Sequence, residues 1–262
     1  MPRRLALAAL LAAAPLAAAQ TPEGDGEANA PPFPEYPDFR PGAVAAADQK
    51  LYSLALLDLF EVAPAGEGVP ARVEGFYRIG TDYNKVYLKA EGEGLVAEGE
   101  GGVEAQVLYS RLVTEYFEAQ VGLRLDTEFG DGDVRARPQL AVGLEGLAPY
   151  FFEVEPALFV SAKGDVSARL EGSYDLLVTQ RLVLQPEAEV NLAIQRVEDW
   201  GVGTGLNDIE VGLRLRYEIQ REVAPYVGVS WLNRFGEAHD IARAEGEPTS
   251  EAFVVFGLRL WR

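Results

Sequence analysis

The 262-residue chain contains no cysteine, one methionine (Met1) and one histidine (His239). Without cysteine there can be no disulfide, no thiolate metal site and no cysteine nucleophile. A single imidazole excludes histidine-cluster metal centres and most acid–base chemistry built on histidine. Positive charge is scarce too: 23 basic residues face 41 acidic ones, for a net charge of −18. Phosphate backbones are held by clustered Lys and Arg, so nucleic acid is excluded as a partner. Beyond the N-terminal segment there is no long apolar run, and helical membrane spans are not expected.

What is present begins with an export signal. Arg3 and Arg4 precede an apolar run from Leu5 to Leu16, and Ala17-Ala18-Ala19 offers a small-residue cleavage site before Gln20. These three parts predict a cleaved signal peptide over residues 1–19. Residues 20–49 carry TPEGDGEANAPPFPEYPDFRPG, rich in Pro, Gly and Glu and without periodicity, and are expected to be a flexible acidic tail.

From residue 50 to 262 the pattern changes to alternation with period two. In Asp165–Leu176 one face carries Ser167, Arg169, Glu171, Ser173 and Asp175, and the other Val166, Ala168, Leu170, Tyr174 and Leu176. Twelve such runs fall near 51–61, 71–80, 84–93, 102–111, 115–127, 134–147, 150–161, 165–176, 180–194, 207–219, 224–234 and 251–262. One face of each is uniformly apolar and the other is densely charged. A soluble β-sandwich hides its apolar faces and scatters charge outside. A single antiparallel transmembrane β-barrel of about twelve strands, apolar toward lipid and polar within, accommodates both faces and is the predicted fold.

Two further patterns agree. Breaks alternate between long (63–70, 94–101, 128–133, 195–206, 235–250) and short (81–83, 112–114, 148–149, 177–179, 220–223), as outer loops and periplasmic turns do. The break at 162–164 is short where a long one is due. Outward aromatics Tyr77, Tyr109, Phe117, Phe152, Tyr174 and Tyr217 adjoin short turns, which places a girdle at one membrane interface. Pro138, Pro156 and Pro186 fall inside strands, where bulges or register shifts are expected.

The segments GLAPYFFEVEPALFV (146–160), RLEGSYDLLVTQRLVLQPEAEVNL (169–192), GLRLRYEIQREVAPYVGVSW (212–231) and DIARAEGE (240–247) resemble the copper resistance protein B family of outer-membrane proteins. VYLKAEGE (86–93) and VLYSR (107–111) are similar to its N-terminal half. The resemblance implies an outer-membrane barrel in copper homeostasis, with a periplasmic multicopper oxidase as partner. Family members commonly carry a Met- and His-rich segment ahead of the barrel, whereas here that region has no Met and no His after Met1. Its donors are carboxylates, which suit hard divalent cations and bind Cu(II) weakly.

With the N-terminus periplasmic, alternation assigns lumen residues by height. Glu91, Glu93, Glu189, Asp208 and Glu210 fall near the outer mouth, with Glu153, Glu155, Glu171 and Glu187 at mid-height beside Arg169 as the main base. Lys89 and Arg214 fall nearer the periplasm. Glu153 and Glu155 share a face, Glu187 and Glu189 repeat the spacing, and Glu171 lies on the strand between. These nine carboxylates are the candidate cation ligands. The mid-height four are expected to form the constriction, with a salt-bridge filler role as the alternative reading for each acid. A narrow cation-preferring porin without copper specificity is the competing function. A surface hydrolase would need His239 with Asp240 in the last long loop, and no nucleophile is placed beside them. The chain is therefore not expected to be an enzyme, nor to hold a tightly bound cofactor.

Overall fold

The computed structural model describes residues 50–63, 70–95, 100–130 and 133–262. The expected signal peptide and tail, residues 1–49, lie outside the described residues. Strands β1 (Tyr52–Val62), β2 (Pro70–Gly80), β3 (Asn84–Leu95), β4 (Glu100–Leu112), β5 (Phe117–Gly130), β6 (Asp133–Ala148), β7 (Phe152–Ser161) and β8 (Val166–Ser173) follow one another as an antiparallel meander. A two-residue β9 (Leu176–Leu177) continues the line of β8 after a break at Tyr174–Asp175. Then come β10 (Leu182–Ala193), β11 (Gly205–Tyr217), β12 (Val223–Arg234), helix α1 (Gly236–Glu245) and β13 (Ser250–Trp261). β10 pairs with β11 and β1 with β13, so the sheet closes into a barrel of twelve long strands. Closure leaves no unpaired edge for lipid to desolvate.

The side chains are distributed in the reverse of a soluble protein. Outward Leu88, Val107, Leu123, Leu140, Leu213 and Val229 are exposed, while inward Arg124, Arg169, Asn191 and Arg214 are buried. An exposed apolar belt around buried charge is stable only with hydrocarbon outside. Of the expected girdle, Tyr77, Tyr109, Phe152 and Tyr217 are exposed beside the short turns, and Phe152 packs on Tyr174 with ring centroids 4.8 Å apart.

The twelve runs match the strands to within a few residues, and three details differ. Pro138 and Pro186 sit in unbroken register, opposite Leu125 and Leu213, and register is also kept across Pro156. The irregularities fall instead in β1, at Leu57/Leu59 against β2 and Leu57/Glu61 against β13, and at Asn191/Leu192. Pro186 escapes a bulge because its missing N–H falls where the neighbouring strand is interrupted between β8 and β9. The break expected at 128–133 is shorter, since pairing continues to Gly130↔Asp133. The last long loop contains a ten-residue helix, α1, closed by Gly246 at φ 80° with its N–H on the Ala242 and Arg243 carbonyls.

A charge on the lipid face tests the inside/outside assignment. Leu213→Arg and Leu123→Arg are each expected to cost roughly 2–4 kcal/mol near the bilayer midplane. Both should fail to give the heat-modifiable band of a folded barrel on gel electrophoresis. Normal insertion of the two would reverse the assignment.

Candidate functional site

Register builds the lumen from two rows of acids. Across β2–β5, Glu74 faces Glu91, Glu91 faces Glu104, and Glu104 faces Asp126. Across β7, β8, β10 and β11, Glu155 faces Glu171, Glu171 faces Glu189, and Glu189 faces Glu210. Neighbouring strands in register bring such side chains within about 5 Å at Cβ, where like charges repel unless compensated.

Compensation comes from bases that cross the barrel. Arg169 of β8 lies 2.9 Å from Glu104 and 3.6 Å from Glu91 on the far wall, and 3.5 Å and 3.8 Å from Glu189 and Glu171 on its own. Arg72 of β2 lies 2.8 Å from Glu91 and 3.1 Å from Glu210. Arg124 holds Glu104 at 2.8 Å and Asp126 at 2.6 Å, and Lys89 pairs with Glu155 and, at 2.9 Å, with Glu145. Eight carboxylates in the two rows thus meet four bases. By count the two rows hold more acids than bases, although most of these acids are paired.

The nine candidate ligands do not converge on one point. Glu155, Glu171, Glu189 and Glu210 share a row, with Glu91 in the facing one. Glu153 and Glu187 lie one step toward the periplasm, both opposite Ser173, whose hydroxyl donates to Glu153 at 3.3 Å. Glu187 is 2.8 Å from Arg214, which also binds Glu61 at 2.6 Å. Gly212 makes room there, since a Cβ would lie 2.7 Å from the Arg214 guanidinium. Asp208 and Glu189 each accept a 2.6 Å hydrogen bond from the Asn191 amide. Glu93 lines an outer cavity of about 50 Å³ with Glu91, Glu104, Asp126, Arg124 and Arg137. Height alone assigned Lys89 and Arg214 to the periplasmic end, yet their long side chains reach the acids above, so bases at mid-height are more numerous than expected.

Two features escaped the sequence reasoning. An inward apolar row, Tyr87, Leu108, Ala141 and Phe159, is buried in the lumen with Gly122 in the same register. Parity alone locates it, since Tyr87 is in phase with Lys85 and Lys89. Arg124 stacks on Phe159 at 4.2 Å, tying this row to the acids. The second is the cover of the outer mouth. In the β10–β11 loop, Val197 bridges Val202, and Trp200 faces the guanidinium groups of Arg135 (5.4 Å) and Arg137 (5.8 Å). Helix α1 packs on this loop where Gly203 would carry a Cβ 2.4 Å from the Ala238 nitrogen. Glu237 accepts a 3.0 Å bond from the Thr204 N–H, which holds its carboxyl below the usual range. His239 sits in α1 with Nδ1 3.3 Å from Asp240, whose side chain is exposed, which leaves both at the surface.

The donor set fits hard cations. Among the described residues no group of three or more His, Cys, Asp and Glu is arranged to hold a metal ion, and the lumen offers carboxylate, amide and hydroxyl oxygens alone. Cu(I), which requires sulfur or imidazole, does not fit, and Cu(II) fits as a weakly held ion.

Residues 51–262 match the family model described as copper resistance protein B precursor. The chain is 45% identical over 183 residues to copper resistance protein B of Escherichia coli, covering 70% of this chain and 60% of that protein. It is 37% identical over 214 residues to a copper resistance protein B homolog of Pseudomonas syringae pv. tomato, covering 82% and 71%. The chain therefore spans less than two thirds of the Escherichia coli relative. Among solved structures it is similar to the KdgM porin in complex with disordered oligogalacturonate (13% identity, TM-score 0.46, 80% of this chain and 98% of that one). It is also similar to the NanC porin (12%, 0.48, 80% and 99%).

Arg169→Met should cost roughly 3–5 kcal/mol, because among the described residues it removes the only base paired with buried Glu189 and with Glu171, whereas Glu104 keeps Arg124. Urea unfolding of the variant in lipid vesicles measures the loss, and an unchanged midpoint would remove Arg169 as the tie between the walls. The Glu237–Thr204 contact has a pH signature. A lowered folded-state pKa stabilises above the unfolded value and is lost as pH falls through the folded one. The protection factor of the Thr204 amide, its exchange rate relative to the intrinsic rate at the same pH, should hold at neutral pH and fall only in acid.

Proposed function

The chain belongs to the copper resistance protein B family, and from that premise we propose an outer-membrane barrel of a copper-homeostasis system that passes or weakly binds divalent cations in its lumen. The excess of eight carboxylates over four bases in the two facing rows carries this reading. Fixed acids within low-dielectric walls raise the local cation concentration. Arg72, Arg124, Arg169 and Lys89 hold the acids apart and in place, so an entering cation meets an ordered oxygen lining. Hydrated or partly hydrated M²⁺ ions exchange along such a lining without tight capture, because no point in it supplies a closed ligand set. Copper specificity would then come from a partner, and a periplasmic multicopper oxidase is the proposed acceptor.

A general cation-preferring pore is the second reading, favoured by the lack of imidazole and sulfur in the lumen. Conductance of the refolded protein in planar bilayers separates the two. Cation over anion selectivity is expected, with Cu²⁺ carried or retained in preference to Mg²⁺ under the copper reading and without preference under the other. An anion-selective or non-conducting, non-binding barrel would overturn both.

The variant carrying Glu153→Gln, Glu155→Gln, Glu171→Gln and Glu187→Gln sharpens the test. Each base involved keeps another acid: Lys89 keeps Glu145, Arg214 keeps Glu61, and Arg169 keeps Glu104. Folding should survive while cation selectivity and metal retention fall. Unchanged selectivity with lost stability would assign the four to structural pairing.

A further inference from the structure

Arg169 and Arg72 join opposite walls at one height, and the ion pairs there run in a circuit across the lumen. Glu189 meets Arg169, Arg169 meets Glu91, Glu91 meets Arg72 and Arg72 meets Glu210, which lies opposite Glu189 again. This septum is tightly packed. The side chains of Arg124, Glu189 and Arg169 are 2%, 5% and 7% exposed, and Asn191 beside them is fully buried. A side chain lining an open aqueous pore would be wet on its inner face, so this arrangement is shut to a hydrated ion. The lumen widens on either side. The outer cavity beneath Trp200 reaches down to Glu91, Glu104 and Arg124. Toward the periplasm, the inward Glu74, Glu155 and Glu171 are 33%, 31% and 28% exposed.

Each arginine also has acids on its own side. Arg169 lies 3.5 Å from Glu189 on the adjoining β10 and 3.8 Å from Glu171, two residues along its own strand. Arg72 lies 2.8 Å from Glu91 on the adjoining β3 and 3.7 Å from Glu74, again two residues along. Withdrawal from the far wall therefore strands neither base. The acids left behind keep partners too, Glu104 with Arg124 at 2.8 Å and Glu210 with the Ser230 hydroxyl at 2.6 Å. What is lost is the attraction between the walls, which is strong where water is scarce. A monovalent ion taking the place of Arg169 beside Glu104 and Glu91 returns only the single charge that the guanidinium took away, and sheds hydration to do so. A divalent ion returns twice that charge to the same carboxylates.

We propose that Arg169 and Arg72 form a valence gate, shut to monovalent cations and opened by a divalent cation that displaces Arg169 from Glu104 and Glu91 and Arg72 from Glu210. Each guanidinium then draws back to the acids on its own side. The two arginines are resident cations that an incoming ion must outcompete. Cations of either charge are drawn to the acids, and those of double charge pass. The inference rests on the cation reading of the lumen and adds to it the charge an ion needs.

Deletion of charge-neutral pairs tests the gate, with the refolded protein in a planar bilayer between K⁺ on one side and Mg²⁺ on the other. The reversal potential of the unsubstituted protein should give Mg²⁺ a permeability about tenfold above that of K⁺. Arg169→Gln with Glu189→Gln removes the septum base together with an acid that has no other paired base among the described residues. The net charge of the lumen stays the same, yet K⁺ conductance should rise severalfold and the permeability ratio should fall toward one. Arg72→Gln with Glu210→Gln should act alike, and it carries the test if the first variant gives no heat-modifiable band. Lys85→Gln with Glu118→Gln deletes an equally neutral pair at the periplasmic end and should leave the ratio unaltered. An unsubstituted barrel that passes K⁺ as readily as Mg²⁺ would overturn the gate and leave the cation reading intact. So would an unaltered ratio in both septum variants, or an equal fall in the Lys85 and Glu118 control. A barrel that neither conducts nor retains either ion in any variant would overturn the cation reading itself, and the gate with it.

Discussion

In hydrocarbon no water is available to backbone N–H and C=O groups, so every strand must find a partner on both sides. The pairing of β1 with β13 is what meets that demand, with Leu56 opposite Trp261 and Leu57 opposite Leu260. Once the ring is closed, period-two alternation has one meaning at every position. Outward residues meet lipid and inward residues meet a space too narrow to leave them separately solvated. The charges of the lumen, the exposed belt and the covered mouth all follow from that closure.

Inside the ring, charge has to be settled locally. Glu74, Glu91, Glu104 and Asp126 form one row and Glu155, Glu171, Glu189 and Glu210 the other, so repulsion along each row is built in by register. Arg72 and Arg169 each contact both rows, which converts repulsion within a wall into attraction between walls. Arginine suits this position because its planar fork serves several carboxylates at once. The arrangement is still acid-rich, and that excess is what the arginines must hold in place.

The outer mouth is organised by different means. Small residues decide how closely the covering elements approach: Gly203 admits α1 against the β10–β11 loop, and Asn207 receives the Gly203 N–H at 2.6 Å. Trp200 then faces Arg135 and Arg137 over the acidic cavity below. The strands fix the acids, and the loops set the access to them.

The sequence by itself determined the barrel, its strand number to within one short interruption, and the face on which each residue lies. Alternation of Arg169, Glu171 and Ser173 against Leu170 and Gly172 is a local property, and hydrophobic sorting across a membrane reads it directly. It also located the candidate acids, because parity needs no partner. Tertiary structure alone decided which base meets which acid. Arg169 and Glu104 are 65 residues apart and Arg72 and Glu210 are 138 apart. Their meeting depends on ring closure, strand stagger and side-chain reach, none of which has a period in the sequence. The helix in the last loop carries a local signal, with Ala, Glu and Arg ahead of Gly246, but its seat on the β10–β11 loop depends on the same closure.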